Sequence, residues 1–256
     1  MELLASLMTV ALLQAAGVAT TPPSPFWTVV RPNDVCRMSG SWIIGLGHPQ
    51  ASVTNVNIER IEDRGRMLIQ ALHRGVMTSP TGDDQFLVDA ATLHPVETRH
   101  SGPVPPVHFR FDGQSAVKLA PDGSVQEEIS LGGIAIPEGP GLEIVVQAVP
   151  WRDGLRMNGV ILDRWRGTGA VRNRAVSWAV EGRAILDTLT GRHETFRTNL
   201  APVDGSFSIV GYITVARPHH LVRMEYVAAA GRKPLVSEMR EVAFHCGALP
   251  AERIDG

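Results

Sequence analysis

Residues 107–130 read VHFRFDGQSAVKLAPDGSVQEEIS. In this stretch Val107, Phe109 and Phe111 alternate with His108, Arg110 and Asp112. A period of two places alternate side chains on opposite faces of a strand, one buried and one solvated. Asp112-Gly113 and Asp122-Gly123 then supply two turn signals, and Val125, Glu127 and Ile129 follow the second at alternate positions. Strand, Asp-Gly, strand is the strongest short-range hairpin pattern, because the tight turn needs residues that tolerate positive φ. The segment therefore reads as strands joined by tight hairpin turns.

The same pattern recurs in both directions along the chain. Phe86 and Val88 mark a strand upstream, and Val176, Trp178 and Val180 mark one downstream. Phe207, Ile209, Gly211, Ile213 and Val215 make one face of a strand after Asp204-Gly205, and Val222, Met224 and Tyr226 make one face of the next. Spacing of this kind predicts about ten or eleven strands and an all-β barrel or sandwich. One segment departs from it. Leu142, Val145, Val146 and Val149 fall at i, i+3, i+4 and i+7, between Pro140 and Pro150. This spacing predicts a single short helix of about three turns lying across a barrel mouth or a sheet face. The Gly- and Pro-rich stretch before it divides the chain into two β-rich halves.

The chain has 256 residues, 44% hydrophobic and 20% charged, with a formal net charge of −2. These values exclude wholesale disorder and argue against a dedicated nucleic-acid binder, which would be basic. Of 24 basic residues only Lys118 and Lys233 are lysines, and the arginines are scattered without forming a patch.

Leu3 to Val18 form one apolar run, followed by small residues at Ala15, Ala16, Gly17 and Ala19 and then by the sequence TTPPSP. This predicts a secretory signal cleaved near Ala16 or Ala19, although the first residues, Met-Glu, lack the usual positive charge. An uncleaved anchor and a buried helix are the alternatives, and membrane contact is expected only through an uncleaved N-terminus. No cysteine lies in the first 35 residues, so no lipobox is present. The only cysteines are Cys36 and Cys246. In an exported chain an even pair predicts a disulfide, which over so long a loop is worth about 5 kcal/mol in the chain-entropy model. Two unpaired thiols are the alternative, and the pair has no zinc-site spacing.

Little else in the sequence carries chemistry. His219 and His220 are adjacent, so on a strand they point to opposite faces and do not chelate one metal; after Pro218 they are expected in an exposed turn. His94, His100 and His108, with Glu97, match no metal-ligand spacing. Gly82 to Asp84 is expected to be a hairpin turn, and Gly45 and Gly47 lack the third glycine of a dinucleotide fingerprint. No GxSxG nucleophile elbow occurs. Trp27, Trp42, Trp151, Trp165 and Trp178 either pack in the core or line an apolar cavity. Trp151, Trp165 and Trp178, with Val145 and Val149, are the ligand-cavity candidates. No catalytic residue, metal ligand or cofactor is assigned.

Two longer stretches have a recognisable form. FLVDAATLHPVETR (residues 86–99) runs apolar strand, Asp, small residues, Thr-Leu, Pro, strand. GYITVARPHHLVRMEY (residues 211–226) runs strand, Arg-Pro turn, strand. Between them lie FDG, the helix ending in Val149-Pro150-Trp151-Arg152-Asp153-Gly154, and WAVEGR. In the order of these pieces, over roughly residues 50 to 240, the chain resembles a family of exported bacterial proteins of unknown function. That family is related in fold to the LolA/LolB lipoprotein carriers. The resemblance implies a curved antiparallel sheet forming a half-open or closed β-barrel around a helix, and a carrier or binding role for acyl chains or another apolar ligand. It brings no catalytic residues. Asp89, Thr92, Leu93 and Pro95 match as residues that shape a hairpin. The missing lipobox departs from LolB-style membrane attachment.

The expected organisation is a signal peptide or anchor at 1–19, an N-terminal extension at 20–49, one β-barrel-like domain at 50–246 and a tail at 247–256. Three functions compete. A non-enzymatic periplasmic carrier requires a void lined by Trp and aliphatic side chains. An envelope module that binds a protein partner requires a solid core and an exposed edge or patch. A hydrolase requires His94, His108, Asp112 and Glu97 to converge.

Overall fold

The computed structural model describes residues 23–75, 82–101, 106–163, 171–228, 233–247 and 252–253. The expected signal segment at 1–19 and Trp165 lie outside the described residues. The first half of the chain forms β1 (Ser24–Pro25), β2 (Arg37–Ile44), β3 (Ser52–Asp63), β4 (Arg66–Gly75), β5 (Asp83–Asp89), β6 (Pro95–Ser101), β7 (Val107–Asp112), β8 (Ser115–Leu119) and β9 (Val125–Ser130). Helix α1 (Gly141–Ala148) follows. The second half forms β10 (Arg156–Asp163), β11 (Arg172–Thr188), β12 (Gly191–Pro202), β13 (Phe207–Thr214), β14 (Leu221–Ala228), β15 (Leu235–His245) and β16 (Glu252–Arg253).

Each half is an antiparallel meander, β2 to β9 and β10 to β15. They become one sheet because β15 pairs with β2, from Ser237↔Ile44 to His245↔Arg37. The sheet curls, but β9 and β10 share no ladder. The seam is filled by chain from other elements. Ala135 bridges to Val160, Ile136 N–H donates to the Val160 carbonyl at 2.7 Å, and Trp27 Nε1 donates to the Ile134 carbonyl at 2.8 Å. Asn173 Nδ2 donates to the Ser130 carbonyl at 2.8 Å, tying the end of β9 to the start of β11.

The Asp-Gly hairpins form where the sequence places them, with φ of 58° at Gly113, 83° at Gly123 and 64° at Gly205. FLVDAATLHP makes the β5–β6 turn. Asp89 Oδ1 accepts from the Ala91 and Thr92 N–H groups at 3.0 Å, and Leu93 takes a φ of 61° with its side chain fully buried. Burial pushes the Asp89 carboxyl up, but the bonds from Arg66, Thr92 and Ala91 outweigh it and hold the group below its ordinary range.

Three expectations need correction. Fourteen strands have five residues or more, against ten or eleven expected. The alternation is hidden where both faces are covered, as at Leu68 and Ile69, consecutive in β4 and both buried. It is also hidden where a bulge shifts the phase, as between Met239 and Glu241 in β15. Residues 37–44, expected in an N-terminal extension, form β2 near the middle of the sheet. Asp83 and Asp84 begin β5 rather than a turn. Gly45 and Gly47 lie in a turn between β2 and β3.

The helix also differs. It has eight residues, and all of them are buried, not only the stripe of Leu142, Val145 and Val146. The curled sheet surrounds it, so Ile144 and Ala148 on its other side pack as well. Gly141 sits against Phe86 and Pro137: a Cβ there would lie 2.7 Å from Pro137 Cβ and 2.8 Å from the Phe86 ring.

Candidate functional site

The inner face of the second meander carries a continuous apolar row. Met157 pairs with Trp178, Trp178 with Leu200, Leu200 with Ile209, Ile209 with Tyr226, and Tyr226 with Leu235. Directly paired residues share a face of the sheet. The row therefore crosses β10 to β15 on one side. It also grades from core to surface: Met157 is 0%, Trp178 3% and Leu200 4% exposed, Ile209 and Tyr226 are half-buried, and Leu235 is 44% exposed. Leu46, in the β2–β3 turn, adjoins the exposed end, its N–H donating to the Val236 carbonyl at 2.8 Å. Ile44 and Met224 pack beside the row as partly buried members of the core. Hydrophobic area left half in water at the end of a track is the kind of surface that associates.

The cavity candidates Trp151, Trp178, Val145 and Val149 come together, all within one core cluster. Trp151 and Trp178 meet edge to face with centroids 5.0 Å apart, Phe26 stacks on Trp178 at 6.1 Å, and Trp151 Nε1 donates to the Val146 carbonyl at 2.8 Å. All four side chains are buried in that core. A separate cavity of about 10 Å³ lies between Phe86, Phe111, Ile136, Leu162, Thr98 and Glu138. It has room for about one water molecule and none for an acyl chain. Trp27 caps the seam and stands edge-on to His94, with centroids 4.9 Å apart.

Two polar side chains enter this apolar interior from α1, both on the side that faces β2. Trp42 Nε1 donates to Glu143 Oε1 at 2.9 Å, and the Cys36 N–H donates to Gln147 Oε1 at 2.8 Å. Glu143 Oε2 is buried and has no hydrogen-bond partner among the described residues. Burial pushes the Glu143 carboxyl up to about 8, against a smaller opposing effect of the Trp42 bond. A carboxyl in such a site is held in its neutral, protonated form at neutral pH. A second polar group crosses the inner face of the first meander, where His73, Asp84 and His100 are paired in register on β4, β5 and β6. His100 Nδ1 lies 3.4 Å from Asp84 Oδ1. Burial pulls the His73 imidazole down to about 4, only partly offset by Asp84.

The remaining sequence candidates are placed as follows. Cys36 and Cys246 form a disulfide, with Cα atoms 4.7 Å apart. His219 and His220 are buried, not in an exposed turn, because their ring nitrogens find partners on the folded-back segment from Thr214 to Pro218. His219 Nδ1 pairs with the Thr214 carbonyl at 2.9 Å, and His220 Nδ1 with the Pro218 carbonyl at 3.1 Å. Desolvation holds both imidazoles below their ordinary value. Of the residues a hydrolase would need, His108 and Glu97 approach to 3.3 Å, whereas His94 packs on Trp27 and Asp112 ends β7 at a hairpin. Among the described residues no three His, Cys, Asp or Glu side chains are placed to hold a metal ion, and no helix is long and apolar enough to cross a membrane.

Sequence reasoning missed Glu143, Gln147 and the track. The first two carried a signal: a Glu and a Gln at i and i+4 within an apolar helical segment lie on one face. The track carried none, because its register is set by pairing across six strands.

No protein-family model matches the sequence, and no curated protein matches it. Among solved structures, the chain is similar to a candidate lipoprotein from Parabacteroides distasonis ATCC 8503, with 11% identity over 87% of this chain and 100% of that one and a TM-score of 0.32. It is also similar to a candidate outer membrane lipoprotein-sorting protein domain from Vibrio parahaemolyticus, with 10% identity over 84% of this chain and 86% of that one and a TM-score of 0.31. Likeness at this level transfers neither ligand nor activity to this chain.

Proposed function

We propose that the protein is an exported, non-enzymatic binding or carrier protein for an apolar, lipid-like ligand. The observation that carries the reading is the apolar row from Met157 to Leu235, which leaves the core and ends half in water. The seat is then the open end of the row, at Ile209, Met224, Tyr226 and Leu235 with Ile44 and Leu46, rather than a cavity among the tryptophans. The Cys36–Cys246 disulfide supports export, since such bonds persist in oxidising compartments.

The test is native mass spectrometry of protein exported to a bacterial periplasm, with lipid extraction of the same sample. A stoichiometric adduct that extracts as lipid is expected. Leu235→Asp places a charge on an exposed position, so it spares the fold and weakens retention about tenfold, the equivalent of roughly 1.4 kcal/mol. A bare mass for the wild type overturns the reading. The ring contacts of Trp178 with Phe26 and Trp151 in the buried core favour a second one, an envelope module that binds a protein partner. A bare mass together with a co-purifying protein would support it.

A further inference from the structure

Helix α1 is joined to its surroundings differently from every strand. Its backbone bonds are internal to it, so it can move without breaking a sheet ladder. Among the described residues, the bonds that join it to elements outside its own turn are few: Arg31 N–H to the Ala148 carbonyl at 2.8 Å, Trp151 Nε1 to Val146, Trp42 to Glu143, Cys36 to Gln147 and the weak contact of Gln147 Nε2 with Met38 Sδ at 4.0 Å. Pro137, Gly139 and Pro140 precede it, and Pro150 and Gly154 follow it. An otherwise apolar helix has turned its only two polar side chains towards a central strand in the core.

We propose that α1 is a proton-dependent plug: a proton on Glu143 holds the helix in its seat against β2, and loss of that proton favours an unseated state that uncovers the inner face of the sheet. Burial of Leu142, Ile144, Val145, Val146 and Ala148 makes the seated state dominant. The proton sets how dominant it is.

The geometry supplies no counter-charge that would keep an ionised Glu143 seated. Its one hydrogen bond is from a neutral indole, and its second oxygen is buried with no partner among the described residues. The inner face of β2 offers Met38, Gly40 and Trp42, none of them ionisable. β4 presents His73, which burial keeps neutral, and β5 presents Asp84, a carboxyl that brings no positive charge. The 3₁₀ turn at Pro32–Asp34 presents Asp34, which is paired with Arg217 at 2.9 Å. From β3, Arg60 reaches the Pro32 carbonyl at 3.4 Å.

The sign follows from the direction of the shift. The seated carboxyl titrates near 8 and an unseated one near its ordinary 4.5. The seated state is therefore most favoured below the lower value and loses that advantage as pH rises to the upper one, by about tenfold per pH unit. This inference does not rest on the apolar-ligand reading.

Hydrogen–deuterium exchange of the whole ligand-free protein tests it. Protection factors for peptides covering α1 and β3 are measured from pH 5.5 to 7.5 and corrected for the intrinsic pH dependence of exchange. Protection of α1 is expected to fall about a hundredfold across those two units while β3 keeps its own. Glu143→Gln retains the Trp42 bond but cannot ionise, so its α1 protection is expected to be flat. Trp42→Phe removes the bond that favours the charged form, which moves the end of the fall to higher pH; it serves if the Gln variant does not fold. Flat protection in the wild type overturns the inference. So does an unchanged slope in Glu143→Gln, and so does β3 losing protection in step with α1, which would mean global unfolding.

Discussion

Reducing or removing the Cys36–Cys246 disulfide is the perturbation with the most definite expected outcome. The bond closes a separation of 210 residues. In the chain-entropy model a loop of that length is worth about 5 kcal/mol, acting through the unfolded chain. The native contacts need not change, because Cys36 and Cys246 stand one position beyond the ladder pair Arg37↔His245 and the ladder survives reduction. The Cys36 N–H also keeps its bond to Gln147 when serine replaces cysteine. Domains are typically stable by about 5–15 kcal/mol, so the loss is a third or more of the total. Urea unfolding followed by tryptophan fluorescence compares oxidised protein, reduced protein and the Cys36→Ser/Cys246→Ser double variant. Both altered forms are expected to unfold at markedly lower urea and with a larger m value, since the uncrosslinked chain exposes more surface. A stability difference below about 1 kcal/mol would refute the reasoning. Titration of two free thiols in protein from an oxidising compartment would refute it as well.

Three further outcomes follow from the packing. Trp178→Ala removes the ring that stacks on Phe26 and meets Trp151 edge to face and is expected to cost about 3–5 kcal/mol in urea unfolding. Gly141→Ala places a Cβ 2.7 Å from Pro137 Cβ and 2.8 Å from the Phe86 ring, so one of them must shift, and is expected to cost about 1–3 kcal/mol in the same assay. His73 is held neutral by burial, so its contribution is fully present above pH 6.5 and is lost as pH falls through about 4. His73→Gln should therefore flatten stability measured across that window, and an unchanged acid limb would count against the burial of this ring.

Local turn chemistry is legible in the residues themselves. Asp112-Gly113, Asp122-Gly123 and Asp204-Gly205 each become hairpin turns, and DAATLHP becomes a turn in which Leu93 takes positive φ. These depend on residues within about four positions of one another, so sequence contains them. The pairing of the two cysteines is also legible, because composition leaves only one possible partner for each. The helix lies where its periodicity places it, but its environment does not follow from that periodicity. An amphipathic stripe says which face must be buried; it is silent on whether the other face is buried too.

Periodicity and turn residues were thus enough for the β class, the break between the two halves and the helix between them, and the two cysteines left one candidate disulfide. That β15 joins β2, and that the resulting sheet curls around α1, emerges only from the folded chain. That curl places Trp42, Trp151 and Trp178 in the core, buries His219 and His220, encloses Glu143 and carries an apolar row from Met157 out to Leu235. The physical reason is sequence distance. Cross-strand register joins residues as far apart as Arg37 and His245, and no periodicity along the chain encodes which strand will lie beside which. The charge state of Glu143 is likewise a property of its enclosure, since the same carboxyl on a solvated helix would be ionised.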